Sequence, residues 1–330
     1  MKSVSTWRRL GQWIGSAILA ALLALNAVAY VQSRAMIHFS EGGQRTAHPE
    51  SLSLGEKLRV LALGVSLPRP VNRLNPTNVQ LAYETVGFPS RDGTRLEAWR
   101  LPAAGPGPLM VLFHGYAGSK SDLLPVAAEF HRMGAEVWLV DFRGSGGSQG
   151  SMTSIGFIEA EDVAAAVQQA ERQSREGRPL VLFGNSMGAA AVLRAVSLGT
   201  IQPAGLILEC PFDRLLSTAA NRFRAMGLPA FPAAHTLTFW GGVQLGFNGF
   251  THNPADFARS VKCPTLLLQG GRDTRVTREQ AESIARNLGA HGRLFVFPNL
   301  GHQSYLAAEP GVSRSEVVKF LNSIPSLKRG

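Results

Sequence analysis

The sequence predicts an α/β protein with a doubly wound, mostly parallel sheet that begins with an antiparallel hairpin. Six short, unbroken apolar runs lie between residues 109 and 297, and such runs are typical of strands covered on both faces. Helical patterns separate most of these runs. Two alternating segments precede them, at 81–86 and 95–101, and Asp92-Gly93 marks the turn between the two.

Each predicted element has its own local signal. The apolar runs predict strands at 109–113, 136–140, 180–183, 205–209, 265–269 and 293–297. The helical patterns predict helices at 122–133, 157–173, 187–198, 278–288 and 314–323. Ser121 is expected to cap the first of these helices, and the pairs Thr277/Gln280 and Ser313/Glu316 have the spacing of capping boxes for the last two.

The first 31 residues are predicted to form a membrane anchor. Residues 10–33 carry no charge, and residues 13–31 would span roughly 28 Å as a helix, close to the thickness of a bilayer core. Lys2, Arg8 and Arg9 favour a cytoplasmic N-terminus, with the main domain on the non-cytoplasmic side. Two alternatives stay open: a signal peptide cleaved near Ala27-Val28-Ala29, which gives a secreted or periplasmic protein, and a buried helix of the main domain.

Residues 32–80 are predicted to form a polar connector with one helix. Ser53 and Glu56 have capping-box spacing, and the apolar run 58–63 that follows them ends in Gly64. The Pro-rich stretch 68–76 is expected to be extended. The α/β domain then occupies residues 81–330.

A long insertion at 211–262 interrupts the α/β domain between two predicted strands. It contains only two acids, Asp213 and Asp256. Its aromatic residues either form a small core of their own or line a substrate pocket beneath a cap. They are Phe223, Phe231, Phe239, Trp240, Phe247 and Phe250.

Composition narrows the classes of function. The 330 residues carry a net charge of +10, but the Lys and Arg residues are scattered, so an anionic membrane surface fits the charge better than a nucleic acid does. Cys210 and Cys263 are predicted at opposite ends of the sheet and are therefore expected to remain free thiols. The chain has no HExxH, CxxC or clustered metal ligands, so neither a metal nor a cofactor is predicted.

Two serines stand in a Gly-x-Ser-x-Gly pattern, Ser186 and Ser148. Ser186 follows an apolar strand and precedes a small-residue helix, which is the context that a nucleophile elbow requires. Gly184 and Gly188 supply the small neighbours that a sharp turn needs. Ser148 lies in a Gly/Ser-rich loop with no strand leading into it, so Ser186 is the predicted nucleophile.

A serine hydroxyl needs a base to accept its proton and a third group to orient that base. His302 follows the last predicted strand and Asp273 follows the strand before it, both at the carboxyl edge of the sheet. The order Ser186, Asp273, His302 is the chain order of such triads in α/β folds. Glu209 and Asp213 are the alternative acids.

Five segments together resemble the α/β-hydrolase superfamily, and within it the serine-aminopeptidase-like, membrane-associated α/β-hydrolase-domain proteins. They are FHGYAGSKSD (113–122), VDFRGSGGSQG (140–150), GNSMG (184–188), GGRD (270–273) and GH (301–302). The resemblance implies an oxyanion hole built from the backbone N–H groups of Tyr116 and Met187, with His114 and Gly115 shaping the first loop. It also implies a structural loop at Asp141–Gly144.

The predicted activity is hydrolysis of an acyl ester, of small-molecule or lipid-like type, through an acyl-enzyme on Ser186. An apolar, net-basic insertion suits such an ester better than the free amine of a peptide. A serine aminopeptidase-like peptidase and a thioesterase are the alternatives within hydrolase chemistry. A non-catalytic, anchored scaffold is the alternative outside it.

Overall fold

The computed structural model describes residues 2–47 and 52–327, with side chains from Trp7 onward. Part of the predicted connector, 48–51, and the last three residues of the predicted domain lie outside the described residues. An eight-stranded sheet has the order β1-β2-β4-β3-β5-β6-β7-β8, and every pairing beyond β2–β4 is parallel. The predicted doubly wound sheet with an antiparallel start is therefore confirmed.

The strand bounds agree closely with the predicted apolar runs. The strands are Glu84–Pro89 (β1), Arg95–Leu101 (β2), Leu109–Phe113 (β3), Glu136–Asp141 (β4), Leu180–Asn185 (β5), Gly205–Glu209 (β6), Thr265–Gly270 (β7) and Gly292–Phe297 (β8). In the parallel register, Phe113 lies opposite Gly184, and Asn185 lies opposite Glu209. The carboxyl ends of β3, β5 and β6 therefore meet at one edge of the sheet.

Helices cover both faces of the sheet. They are Lys2–Ile37 (α1), Leu54–Leu63 (α2), Leu124–Arg132 (α3), Glu159–Gln173 (α4), Met187–Ser197 (α5), Leu215–Ala225 (α6), Ala233–Leu245 (α7), Pro254–Phe257 (α8), Arg278–Leu288 (α9), Tyr305–Ala308 (α10) and Pro310–Leu321 (α11). Alternate strand residues enter two separate cores. Val111 packs with α4 and α5 on one face, and Met110 packs with α3 and α11 on the other.

Several predicted boundaries differ by a few residues, and tertiary contacts explain three of the differences. β1 begins at Glu84, the first residue with a partner on β2, instead of 81. α3 begins at Leu124 because the Lys120 N–H is bound by the Asp141 carboxylate, which leaves a tight 3₁₀ turn over 120–123. α11 begins at Pro310, since the Ser313 hydroxyl donates to the Tyr305 carbonyl at 2.8 Å and caps nothing.

The N-terminal helix α1 has two differently packed parts. Residues 7–24 are exposed along their whole length, whereas packing against the rest of the chain begins near Asn26. There Trp240 of α7 donates an indole hydrogen bond to the Asn26 side chain at 3.0 Å and packs edge-on against Tyr30. Among the described residues, α1 alone is long and apolar enough to cross a membrane.

The connector helix α2 also packs against α1. Ser53 caps it in the predicted capping box with Glu56. The Gln32 side chain of α1 donates to the Leu61 carbonyl at 3.0 Å. The Pro-rich stretch that follows is held against the glycine-rich loop by Arg69, which donates to the carbonyls of Gly146 and Gly150 at 3.0 Å each.

The insertion between β6 and β7 contains α6, α7 and α8, and one of the six aromatic residues predicted for these roles joins a small core of the predicted kind. Phe223 packs into a small core with Ala219, Ala220 and Ala234, separate from the main cores. The remaining rings lie elsewhere: Trp240 against α1, Phe247 against the main domain, and Phe231, Phe239 and Phe250 exposed.

His252 anchors the insertion to the main domain. Its buried ring lies edge-on to Phe157 and Phe212, and its Nε2 is 3.0 Å from the Ile155 carbonyl oxygen. Burial lowers the pKa of His252 to about 4. The imidazole therefore stays neutral and donates its Nε2 proton to that carbonyl.

This burial predicts an acid-sensitive attachment of the insertion. Because the folded-state pKa lies below the ordinary value of 6.5, stability is lost as the pH falls from 6.5 towards 4. Between pH 7 and pH 4 we expect the wild type to lose about 3 kcal/mol more unfolding free energy than His252→Gln, which keeps an N–H donor. Urea denaturation of the full chain at several pH values measures this difference, and parallel pH profiles of the two proteins would contradict it.

Candidate active site

Ser186 lies in a strained turn between β5 and α5. Its φ of 51° and ψ of −110° place a non-glycine residue in a backbone region that L-residues rarely adopt. The turn is held from outside, since the Ser186 N–H donates to the Glu209 carbonyl of β6 at 2.8 Å. This conformation lifts the hydroxyl out of the strand and aims it at the carboxyl edge of the sheet.

The two glycines of the motif allow neighbouring backbones to approach the turn. A Cβ on Gly188 would lie 2.4 Å from the Phe113 carbonyl oxygen of β3. A Cβ on Gly184 would lie 2.6 Å from the backbone of Ala189 in α5. Larger residues would therefore push α5 away from β3 and β5.

The structure brings the three predicted catalytic side chains together. His302 Nε2 lies 3.1 Å from Ser186 Oγ, and His302 Nδ1 lies 2.7 Å from Asp273 Oδ2. The other oxygen of Asp273 accepts the backbone N–H groups of Arg275 and Val276, at 2.8 and 2.9 Å. The carboxylate is thereby fixed in place, and it can hold the imidazole with its Nε2 facing the serine.

Tyr305 joins the loop of Asp273 to the loop of His302. Its buried hydroxyl accepts the Gly270 N–H at 2.7 Å and donates to the Gly301 carbonyl at 3.3 Å. The same two loops also pair directly, through the Arg272 N–H and the Leu300 carbonyl at 2.9 Å. The acid and the base are therefore carried on one connected unit.

The loop after β3 passes directly over the elbow. A Cβ on Gly115 would lie 2.9 Å from Asn185 Oδ1 and 3.6 Å from Ser186 Cβ. His114 accepts the Phe142 N–H on Nε2 at 3.2 Å and lies 2.8 Å from the Gly115 carbonyl through Nδ1. Burial lowers the pKa of His114, so this histidine stays neutral and shapes the loop.

A buried ion pair holds the far end of the same loop. Lys120 Nζ lies 2.5 Å from Asp141 Oδ2, and the Lys120 N–H donates to Asp141 Oδ1 at 2.7 Å. The Ser148 hydroxyl donates to the Asp141 carbonyl at 2.6 Å and accepts the Glu97 N–H at 2.9 Å. The second Gly-x-Ser-x-Gly motif therefore supports this loop and is buried away from the site.

A strained serine after a parallel strand, beside a histidine and an aspartate from later strands of the same sheet, is the site architecture of α/β-hydrolases. A family model described as serine aminopeptidase S33 matches residues 105–237. An uncharacterized protein of Mycobacterium tuberculosis is 30% identical over 250 residues, which are 74% of this chain and 81% of the relative. The chain belongs to this α/β-hydrolase family.

Other comparisons agree with this assignment. The uncharacterized protein YfhR of Escherichia coli is 26% identical to this chain over 247 residues, which are 73% of this chain and 81% of YfhR. A Pyrococcus furiosus esterase has the same fold, with a TM-score of 0.66 at 24% identity over 77% of this chain and 96% of the esterase. An esterase from Exiguobacterium antarcticum gives a TM-score of 0.55 at 19% identity, over 73% of this chain and 100% of the esterase.

The two alternative acids have other partners. Asp213 accepts a hydrogen bond from the Gln280 side chain at 2.6 Å. The Glu209 carboxylate accepts from the Asn185 side chain at 3.0 Å and from the backbone N–H groups of Tyr305 and Leu306 at 3.0 and 3.2 Å. Burial raises the pKa of Glu209 to about 7, although these hydrogen bonds lower it. Glu209 thus links the elbow to the chain that follows His302.

Cys210, Asp273 and His302 place three potential metal-ligand atoms within 4.8 Å of one another. Two of these atoms already share the hydrogen bond between Asp273 and His302. Burial raises the pKa of the Cys210 thiol well above its usual value, which disfavours the thiolate that a metal would need. We therefore assign no metal to this group; both cysteines are free, as predicted.

The end of α1 contacts both segments of the predicted oxyanion hole. The Tyr116 hydroxyl donates to the Met36 carbonyl at 2.5 Å, and burial raises the pKa of Tyr116 to about 12, which keeps this proton in place. The Ile37 carbonyl accepts the Thr153 N–H at 2.9 Å, and the Thr153 hydroxyl lies 3.4 Å from the Met187 sulfur. The end of α1 thus supports both segments of the predicted oxyanion hole.

The backbone N–H groups of Tyr116 and Met187 donate to no other backbone or side chain within 2–47 and 52–327. Their role as an oxyanion hole stays a prediction that the family resemblance implies. Sequence reasoning missed Tyr305 and the end of α1. Tyr305 carries a weak signal in its position three residues after His302, whereas nothing local marks the α1 contact.

Replacing Glu209 by Gln is expected to weaken both stability and activity. Both carboxylate oxygens of Glu209 accept hydrogen bonds from N–H groups. The amide nitrogen of Gln cannot accept a hydrogen bond, so it would face one of these N–H groups donor to donor. We expect a loss of about 2 kcal/mol in unfolding free energy and about tenfold in kcat. Asp213→Asn is the matched control, with an expected change below about 0.5 kcal/mol; equal effects of the two substitutions would disprove the linking role.

Tyr116→Phe is expected to lower kcat while leaving KM nearly unchanged. The substitution removes the hydrogen bond to Met36 and loosens the loop whose N–H faces the developing oxyanion. The expected decrease is about three- to tenfold, because an oxyanion forms only after substrate has bound. Tyr83→Phe, which alters a half-buried tyrosine packed on Trp99, is the control; a change in KM alone would contradict the prediction.

Proposed function

We propose that this α/β-hydrolase is a serine hydrolase that cleaves acyl esters through a covalent acyl-enzyme. The observation that carries the proposal is the hydrogen-bonded series Ser186, His302 and Asp273 at a strained elbow. Each distance lies within the range in which a base takes a proton from a nucleophile and a carboxylate orients the base.

Acylation begins when Ser186 Oγ attacks the carbonyl carbon of the ester. Its proton passes to His302 Nε2, and the resulting imidazolium is stabilised by Asp273. The Tyr116 and Met187 N–H groups receive the oxyanion, with the N-terminus of α5 adding partial positive charge. Collapse of the tetrahedral intermediate breaks the ester C–O bond, and the alcohol leaves with the proton from His302.

Deacylation repeats these steps with water. His302 accepts a proton from water, whose oxygen attacks the acyl carbon. The carboxylic acid is released when Ser186 Oγ regains its proton from the imidazolium. No step requires a metal or an organic cofactor.

An ester substrate fits the insertion better than the free amine of a peptide does. An aminopeptidase needs a carboxylate near the site to hold an ammonium group, and the two acids of the insertion have other partners. Asp213 binds Gln280, and Asp256 pairs with Asn253 and Arg259, at 3.1 and 3.9 Å. An aminopeptidase-like activity and thioester hydrolysis use the same triad and remain the alternatives to test.

We also propose how the chain is divided into an anchor, a connector and a catalytic domain with a cap. We assign residues 81–330 to the catalytic domain, 211–262 to a cap beside the site, and 32–80 to a connector. Residues 1–31 form an uncleaved membrane anchor. Signal cleavage after Ala29 would cut α1 inside a continuous helix, at a residue that is 5% exposed against α7. The basic residues before the apolar run favour a catalytic domain on the non-cytoplasmic side.

Labelling with a fluorophosphonate probe tests the nucleophile. The adduct is expected on Ser186, and Ser186→Ala and His302→Ala are each expected to lower kcat for a soluble ester by at least about 10⁴-fold. Ser148→Ala is the matched control and should keep its labelling. A folded protein that carries no adduct, or that keeps its cellular function as Ser186→Ala, would instead be an anchored scaffold.

The same preparation separates the hydrolase alternatives. Turnover of matched esters, thioesters and aminoacyl amides with one acyl group is compared at equal concentration. The ester is expected to be the best of the three substrates. Faster cleavage of the amide would establish the aminopeptidase activity, and faster cleavage of the thioester the thioesterase activity.

A further inference from the structure

Two helices beside α1 expose apolar side chains. On α2 they recur at the spacing of one helix face, and on α7 and the turn Gly249–Thr251 that follows it they border an open groove of about 470 Å³. We call these residues the apolar collar. They are Leu54, Leu58, Leu61, Phe239, Val243 and Phe250.

Both helices meet α1 at the same height. α2 contacts α1 at Gln32, whose side chain donates to the Leu61 carbonyl at 3.0 Å. α7 contacts α1 at Asn26 and at Ser33, which receives a hydrogen bond from Gln244 at 2.7 Å. The two helices that carry most of the collar therefore both contact α1 within residues 26–33.

This height coincides with the predicted boundary of a bilayer. A hydrocarbon core of about 30 Å takes about 20 helical residues, so a span that begins at Leu10, directly after the two arginines, ends near Ala29. The exposed residues 10–24 of α1 would then lie within lipid. Exposed Arg34, Lys57 and Arg59 stand near the same level and favour anionic headgroups.

The collar is also close to the active site. Phe247 lines the groove and stacks on Phe157 of the main domain with ring centroids 3.8 Å apart. The loop that carries Phe157 also carries Thr153, which contacts Met187. The contacts of Phe157 and Thr153 therefore connect the groove to Met187 of the predicted oxyanion hole.

We propose that the apolar collar rests on the bilayer that α1 crosses, and that the active site takes its acyl ester from lipids of that membrane. The substrate part of this inference rests on the proposed function. A lone helix would let the domain tilt freely above the membrane. The collar instead fixes the cap and the site against the lipid surface, where a long-chain ester can enter without crossing water.

A depth measurement tests the collar without reference to catalysis. Nitroxide labels are placed at Leu58→Cys and Phe239→Cys, and at Val318→Cys on α11 as a control, in full-length Cys263→Ser protein. The protein is reconstituted in vesicles of phosphatidylcholine and phosphatidylglycerol. The ratio of the collision rate with oxygen to the collision rate with a nickel chelate reports the depth of each label. This ratio should place both collar labels about 5–10 Å below the headgroups and the control label in water. Collar labels in water, or immobilised against a second copy of the chain, would overturn the proposal.

A kinetic comparison tests the source of the substrate. Leu58→Ser combined with Phe239→Ser should lower turnover of a long-chain ester within the vesicles by about tenfold, yet change turnover of a short, water-soluble ester less than about twofold. Val318→Ser should alter neither. Equal effects on both esters, or none, would overturn the lipid source. A wild type that hydrolyses neither ester would disprove the proposed function and leave the depth result standing.

Discussion

The backbone of Ser186 imposes the constraint on which the other parts of the site depend. A positive φ at a serine persists only where surrounding structure holds it. Here β3, β6 and α5 do so together. The Phe113 carbonyl of β3 closes on Gly188, and the Glu209 carbonyl of β6 receives the serine N–H. The strand order that places β5 between β3 and β6 is therefore a requirement of the elbow. The same order brings the oxyanion loop to one side of the serine and the chain towards Asp273 to the other.

The sheet could be predicted because its signals are local. A strand buried on both faces needs a continuous apolar run, and β3 and β6 have the bounds that such runs predicted. β2, which was predicted from alternation, also has its predicted bounds. Helix starts were less predictable, because a cap depends on what else binds the capping group. Asp141 binds the Lys120 N–H and delays α3, and Tyr305 binds the Ser313 hydroxyl, so α11 starts earlier. In both cases a distant partner outweighed the local pattern.

The site residues divide in the same way. Ser186, Asp273 and His302 each follow a strand within a recognisable turn, so the sequence was sufficient to predict that the three side chains come together, as they do. Their catalytic roles stay a prediction. Glu209 ends a strand in the same way, and the sequence alone suggested it as an alternative to Asp273 for the acid of the triad. Glu209 and its two partners, Asn185 beside the serine and Tyr305 after the histidine, come from three separate strand ends. Such a role becomes visible only once the sheet order is known.

If α1 is the proposed membrane anchor, its contact with the loop after β3 joins membrane attachment to the proposed chemistry. A helix that only tethers a domain needs a flexible connection, but α1 continues without a break to Ile37 and ends at the Tyr116 hydroxyl. A displacement of the helix along the membrane normal would thus be transmitted to the loop whose N–H faces the oxyanion. Because α7 also packs on α1, the cap and the loop move with the same rigid element. The depth of α1 in the membrane is therefore expected to determine both how the cap meets the lipid and how well the oxyanion hole is formed.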